Sequence, residues 1–184
     1  MVHPLGYGSE NAGRDVSRMA NIMPPLGLAS IAAFLERDNI GADIIDCYAL
    51  PLSDPFIRDY LTRLRPAFIG FSCTTSSFLD GVRIADLAKS IEPCIKTVFG
   101  GPHVSALKTR ILEDFPEVDF CVVGEGEETL EELLQSGGQR TDLRGIEGIA
   151  YRDEEGNPFF TGYRKKAVHL TCNSRRTRVS AISR

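Results

Sequence analysis

No two cysteines in this sequence are spaced to share a metal. The five, Cys47, Cys73, Cys94, Cys121 and Cys172, stand singly and far apart. There is no CxxC and no CxxxCxxC. An odd, scattered set excludes a disulfide framework and a zinc site, and it points to a reducing, cytoplasmic setting. There is no stretch of about 18 apolar residues and no charged-then-apolar leader, so neither a membrane span nor a signal peptide is expected. No GxGxxG precedes the acidic end of the second strand at Asp46, which argues against a dinucleotide site. Internal repeats are absent too. Cationic excess is lacking overall: the net charge is −4 and the pI about 5.4, which speaks against broad nucleic-acid binding. Basic residues gather only at the end, where Arg164 to Arg184 holds seven Lys/Arg and no acid. That segment has no apolar periodicity and reads as a basic, disordered tail.

What is present is an alternation. At 184 residues the chain suits one α/β domain with an appendage. "MVHPLG" reads as the end of a first strand. Only Met1 to His3 are available for it, so either that strand is very short or the natural N-terminus is missing. "PPLGLASIAAFLERD" shows Leu28, Ile31, Ala32 and Leu35 at helical spacing behind two prolines. "ADIID", "AFIGFS", "IKTVFGG" and "DFCVVG" are short apolar runs without polar alternation, as strands covered on both faces require. Between them lie helical stretches: "SDPFIRDYLTRLRP", "SSFLDGVRIADLAKSIEP", "VSALKTRILEDFPEV" and "EGEETLEELLQSGG". Alternation of this kind predicts an α/β fold: a doubly wound, five-stranded parallel sheet of flavodoxin-like order 2-1-3-4-5. "GIEGIAYRDEEGNPFFTG" predicts a C-terminal β-hairpin. The expected division is a Rossmann-like domain over 1–140, a hairpin or linker over 141–163, and the tail over 164–184.

Ligands of such sheets bind beyond the carboxyl ends of the strands. The residues delivered there are small or hydroxylic. Strand one leads into Pro4, Leu5, Gly6 and Tyr7. Strand three ends at Ser72 and is followed by Thr74, Thr75 and Ser76. Strand four runs into Gly100, Gly101, Pro102 and His103, and strand five into Gly124, Glu125 and Gly126. Glycine leaves backbone bare, and hydroxyls can bond a ligand's polar atoms. Local readings exist for the same residues. Ser76 or Ser77 could cap the third helix. His103 could be a turn or cap residue. Glu127 and Glu128 suit the positive end of a helix.

"SCT" at 72–74 followed by "GG" at 100–101 resembles the Ser-x-Leu and Gly-Gly segments of the cobalamin-binding fold. "PPLGLASIAAFLE", "FIGFSCTTSS", "VFGGPHVSA" and "VDFCVVGEGEETLEELL", in that order, are similar to the N-terminal domain of B12-dependent radical S-adenosylmethionine proteins. The magnesium-protoporphyrin cyclases and cobalamin-dependent methyltransferases belong to that class. The resemblance covers roughly residues 1 to 163. It implies cobalamin as cofactor, a serine or threonine near its nucleotide tail, and paired glycines that leave the tail room beside the sheet. Other cobalamin domains carry Asp-x-His-x-x-Gly, whose histidine ligates cobalt. Here His3 and Gly6 have that spacing, but Met1 replaces the aspartate. The resemblance therefore implies no metal ligand from this chain, with His3 the one residue spaced for the role.

An iron–sulfur cluster and S-adenosylmethionine are expected only in a full-length relative, and a radical domain is the implied partner. The chain alone is expected to bind rather than catalyse, without nucleic-acid or membrane partners. The competing reading is a flavodoxin- or receiver-like interaction domain without corrin. A receiver needs an aspartate at the end of strand three, where Ser72 stands.

Overall fold

The computed structural model describes residues 1–4, 24–47, 54–139 and 143–165. The strands are β1 (Val2–His3), β2 (Ile45–Asp46), β3 (Phe68–Ser72), β4 (Lys96–Gly100), β5 (Phe120–Val122), β6 (Ile149–Arg152) and β7 (Pro158–Phe160). The helices are α1 (Leu26–Leu35), α2 (Asp54–Leu64), α3 (Phe78–Ile91), α4 (Pro102–Leu107), α5 (Thr109–Asp114) and α6 (Glu127–Gln135). They interleave with the first five strands as the alternation predicts.

The strand order is β2-β1-β3-β4-β5-β6-β7. Its first five members are parallel, in the 2-1-3-4-5 order expected. The hairpin adds two more. β6 pairs antiparallel with β5 and β7 with β6, so the sheet has seven strands rather than five. The reason lies in "IAY": Ile149, Ala150 and Tyr151 are all buried, as in a strand covered on both faces. Arg152 fastens this edge. Its guanidinium donates to the carbonyl oxygens of Val118 at 2.7 Å, Leu112 at 2.7 Å and Phe115 at 2.9 Å.

Period-two alternation divides the strands between two cores. Ile69, Phe71, Phe99 and Cys121 face α2 to α5, with the Phe71 and Phe99 rings stacked at 4.5 Å. Val98, Phe120 and Val122 face α1 and α6 through Leu35, Leu130 and Leu133. At the amino ends, Asp119 Oδ2 accepts from the Thr97 backbone N–H at 2.8 Å and from Lys89 Nζ at 2.7 Å, which locks β4 to the start of β5.

One expected helix is two. "VSALKTRILEDF" breaks at Lys108, whose φ of 52° ends α4 and begins α5. With ψ at −117°, Lys108 lies outside the left-handed helical well, a sparsely populated conformation that costs roughly 1–3 kcal/mol. Its ammonium lies 4.9 Å from the centre of the Tyr163 ring, a cation–π contact that offsets part of that cost. Among the described residues no helix is long and apolar enough to cross a membrane.

Candidate functional site at the carboxyl edge of the sheet

Ladder registers place one row of residues across the sheet near its carboxyl edge. His3 pairs with Asp46. One step along from the Val2–Phe71 match, His3 comes opposite Ser72. Ser72 pairs with Gly100. Gly100 lies beside Val122: a Cβ built on it would be 3.9 Å from the Val122 Cβ. Alternation puts Ser72 and Gly100 on the face that also carries Val98 and Val122, under α1 and α6.

The two adjacent glycines serve different purposes. Gly101 has φ of 100°, and a Cβ there would stand 2.6 Å from the Cys73 carbonyl oxygen and 2.9 Å from its nitrogen. The protein's own backbone therefore demands Gly101. Gly100 meets no such demand. Its nearest neighbours would be Val122 atoms at 3.8 and 3.9 Å, ordinary contact distances. Among the described residues, then, no close backbone contact requires glycine at position 100.

The turn after β3 is bonded to itself. Ser77 is buried, and its hydroxyl accepts from the Thr74 backbone N–H at 3.0 Å instead of capping α3. Thr74 Oγ1 lies 3.0 Å from Ser76 Oγ. Thr74, Thr75 and Ser76 remain exposed at the rim. Pro102 takes the first position of α4. His103 Nδ1 is 3.2 Å from Thr75 Oγ1, and its ring packs on Phe78 with centroids 4.6 Å apart. Desolvation holds the His103 imidazole below its usual pKa, favouring the neutral ring. After β5, Gly124 has φ of 87° and donates its N–H to Ser105 Oγ at 3.1 Å. Glu125 is exposed, and Gly126 packs under Ile31 of α1. Ser30 Oγ donates to Glu127 Oε1 at 2.8 Å, tying α1 to α6 beside the row.

Pro4 is buried and turned to the other face, where a Cβ on Gly81 would be 3.6 Å from its ring. Leu5, Gly6 and Tyr7 lie outside the described residues. His3 has a carboxylate partner after all: its Nδ1 is 3.3 Å from Asp46 Oδ1 on the neighbouring strand. Ser30 and Ser105 escaped sequence reasoning as members of this edge, and Asp46 was weighed there only for a dinucleotide, not as the partner of His3. Each reaches it from a different segment, and a local pattern does not report such contacts. Among the described residues no group of three or more His, Cys, Asp or Glu could hold a metal ion.

A family model described as the B12 binding domain matches residues 15–134. The chain belongs to the B12-binding domain family. It is 35% identical over 130 residues to the uncharacterized methyltransferase PH0819 of Pyrococcus horikoshii, covering 71% of this chain and 28% of that protein. It is 30% identical over 160 residues to the anaerobic magnesium-protoporphyrin IX monomethyl ester cyclase of Rubrivivax gelatinosus, covering 84% and 28%. This member of the B12-binding domain family thus spans little more than a quarter of the length of either relative. Its fold is that of the radical S-adenosylmethionine methyltransferase TsrM from Kitasatospora setae with cobalamin and a 4Fe-4S cluster bound. The TM-score is 0.69 at 18% identity, covering 92% of this chain and 29% of that one. The cobalamin-dependent S-adenosylmethionine radical enzyme OxsB, with aqua-cobalamin and S-adenosylmethionine bound, gives 0.70 at 22% identity, covering 90% and 22%.

The residues present fit the family's cofactor. Gly100 is a bare strand position, and Ser72 stands beside it in register with a hydroxyl. Among the described residues, neither is taken up by a contact that the fold itself requires.

Proposed function

We propose that this chain is a cobalamin-binding module of a radical S-adenosylmethionine-type enzyme and that it holds the corrin at the carboxyl edge of the sheet. The carrying observation is the Ser72–Gly100 pair: a hydroxyl and a bare strand residue in register, where a side chain would meet only Val122 at ordinary contact distance among the described residues. Ser72 and Gly100 would flank the nucleotide tail. Thr74, Thr75, Ser76 and His103 would meet polar groups at the rim, with the backbone of Gly124, Glu125 and Gly126 facing them. Leu5, Gly6 and Tyr7 would complete the side nearest β1. Bound cobalamin supplies reactive cobalt chemistry, while the protein orients and desolvates it. We assign no cobalt ligand to this chain; His3 is committed to Asp46 at 3.3 Å.

In a longer protein the binding region over 1–140 and the hairpin over 141–163 would lead through the basic segment 164–184 to a radical domain. The first residue of that segment is already held by the domain. Arg164 bonds Glu128 Oε2 at 3.1 Å, Glu132 Oε2 at 2.6 Å and Thr129 Oγ1 at 3.0 Å, all on α6. The setting that suits this role is cytoplasmic.

Hydroxocobalamin mixed with the protein and desalted should co-elute with a corrin absorption spectrum. Gly100→Val should weaken retention about tenfold or more, some 1.4 kcal/mol, with circular dichroism unchanged. A wild-type protein that retains no corrin would overturn the reading.

A further inference from the structure

Glycine stands on both sides of Glu125 in the turn that leaves β5. Gly124 has φ of 87°, and a Cβ built on it would meet nothing within 4 Å. A Gly-Glu-Gly segment has wide conformational freedom and little side chain with which to fix itself. Its place therefore depends on contacts from outside. The far end is held from α1: Ile31 packs on Gly126, and Ser30 Oγ donates to Glu127 Oε1 at 2.8 Å. The near end is held from α4. Among the described residues, the Gly124 N–H goes to Ser105 Oγ at 3.1 Å.

The helix that carries Ser105 is short and fixed at several points. α4 has six residues. It starts after Gly101, whose backbone lies against Cys73, and its His103 N–H reaches Cys73 O at 3.4 Å. Val104 is fully buried in the core beneath it. Its end is the Lys108 backbone, at φ of 52° and ψ of −117°. A conformation so sparsely populated persists only where the surroundings over-determine it. α4 consequently works as a strut. On the β3 side His103 Nδ1 lies 3.2 Å from Thr75 Oγ1, and on the β5 side Ser105 Oγ takes the Gly124 N–H. Three neighbouring strand exits are thus joined through one helical turn.

The Ser105–Gly124 bond does little for stability. It is exposed, so water can replace it on either partner. What it fixes is the position of a bare-backbone loop at the rim before a ligand arrives. A loop ordered in advance lowers the entropic cost of binding.

We propose that Ser105 is a positioning residue of the cobalamin edge. It acts through Gly124, setting the loop over 124–126 against which the corrin would lie, and this role rests on the cobalamin reading.

Ser105→Ala and Ser105→Thr test it on the whole chain, by amide exchange, thermal unfolding and hydroxocobalamin affinity. Alanine should speed exchange of the Gly124 amide about tenfold. It should raise the Kd for hydroxocobalamin about fivefold, mostly through faster release. The unfolding midpoint should stay within about 2 °C of wild type. Threonine keeps the hydroxyl and should match wild type in all three. Fast Gly124 exchange in the alanine variant with unchanged corrin affinity overturns the proposal, because the bond is then structural only. Unchanged Gly124 exchange overturns it too, as does a threonine variant that holds corrin as weakly as alanine. A wild-type chain that binds no corrin overturns the cobalamin reading and this role with it. Gly124 exchange tells that failure apart from a missing bond.

Discussion

A side-chain carbon on Gly101 would stand 2.6 Å from the carbonyl oxygen of Cys73. The contact is between main chains, so no rotamer change relieves it. Gly101 lets the turn after β4 pass directly over the turn after β3, and the His103 N–H then reaches Cys73 O at 3.4 Å. Gly100, one residue earlier, has only Val122 at ordinary contact distance among the described residues. The pair is one motif in sequence and two separate requirements in three dimensions.

Gly101→Ala should therefore cost about 3 kcal/mol or more, from backbone strain and displacement of the β3 turn. Gly100→Ala should change stability by less than about 1 kcal/mol, because its neighbours are at ordinary contact distance and alanine suits a strand better. Urea unfolding of both variants checks the contrast. Equal losses would show that the glycines act as one structural unit.

Arg152 predicts how firmly the hairpin belongs to the domain. One guanidinium serves three carbonyls, those ending α5 and leading into β5. Lysine keeps the charge but not the planar fork. Arg152→Lys should lose about 2 kcal/mol in thermal or chemical unfolding, because part-buried carbonyls are left without donors. A wild-type midpoint would mean that the hairpin is held by β5 pairing alone.

The buried thiols set an alkaline limit. Burial pushes Cys47, Cys73 and Cys121 from 9.0 up to about 12. Asp80 adds to the shift at Cys47 and Cys73, and Arg152 opposes it at Cys121. Between pH 9 and 12 the unfolded chain has lost these protons and the folded chain keeps them. The unfolded state then binds fewer protons, so stability falls as pH rises through that window. Midpoints measured from pH 8 to 11 should decline. Iodoacetamide at pH 8, mapped by mass, should modify exposed Cys94 and spare the three buried thiols. Labelling of Cys73 in the folded protein would contradict this packing.

Much of the architecture was legible because its signals are local. Apolar runs without alternation, separated by 3.6-period stretches, specify a doubly wound parallel sheet. The glycines and hydroxyls ending at Ser72 and Gly100 fall on the expected edge. Other features were not legible. The positive-φ Lys108 that divides α4 from α5 has no local signal, and its ammonium meets Tyr163, far along the chain. The hairpin reads as an appendage until β6 is seen paired to β5. His3 reads as a histidine lacking its acid until β2 brings Asp46 beside it. The hydroxyl at Ser77 reads as a cap, and the fold uses it to close its own turn on Thr74.

By itself the sequence determined the order of strands and helices and the small residues at the strand ends, because periodicity, proline and glycine act within a few residues. Only tertiary structure decided which glycine is claimed by the backbone of β3 and which tolerates a side-chain carbon. It alone decided that Asp46 stands beside His3. Those are distances between segments remote in the chain, and no local pattern encodes a distance.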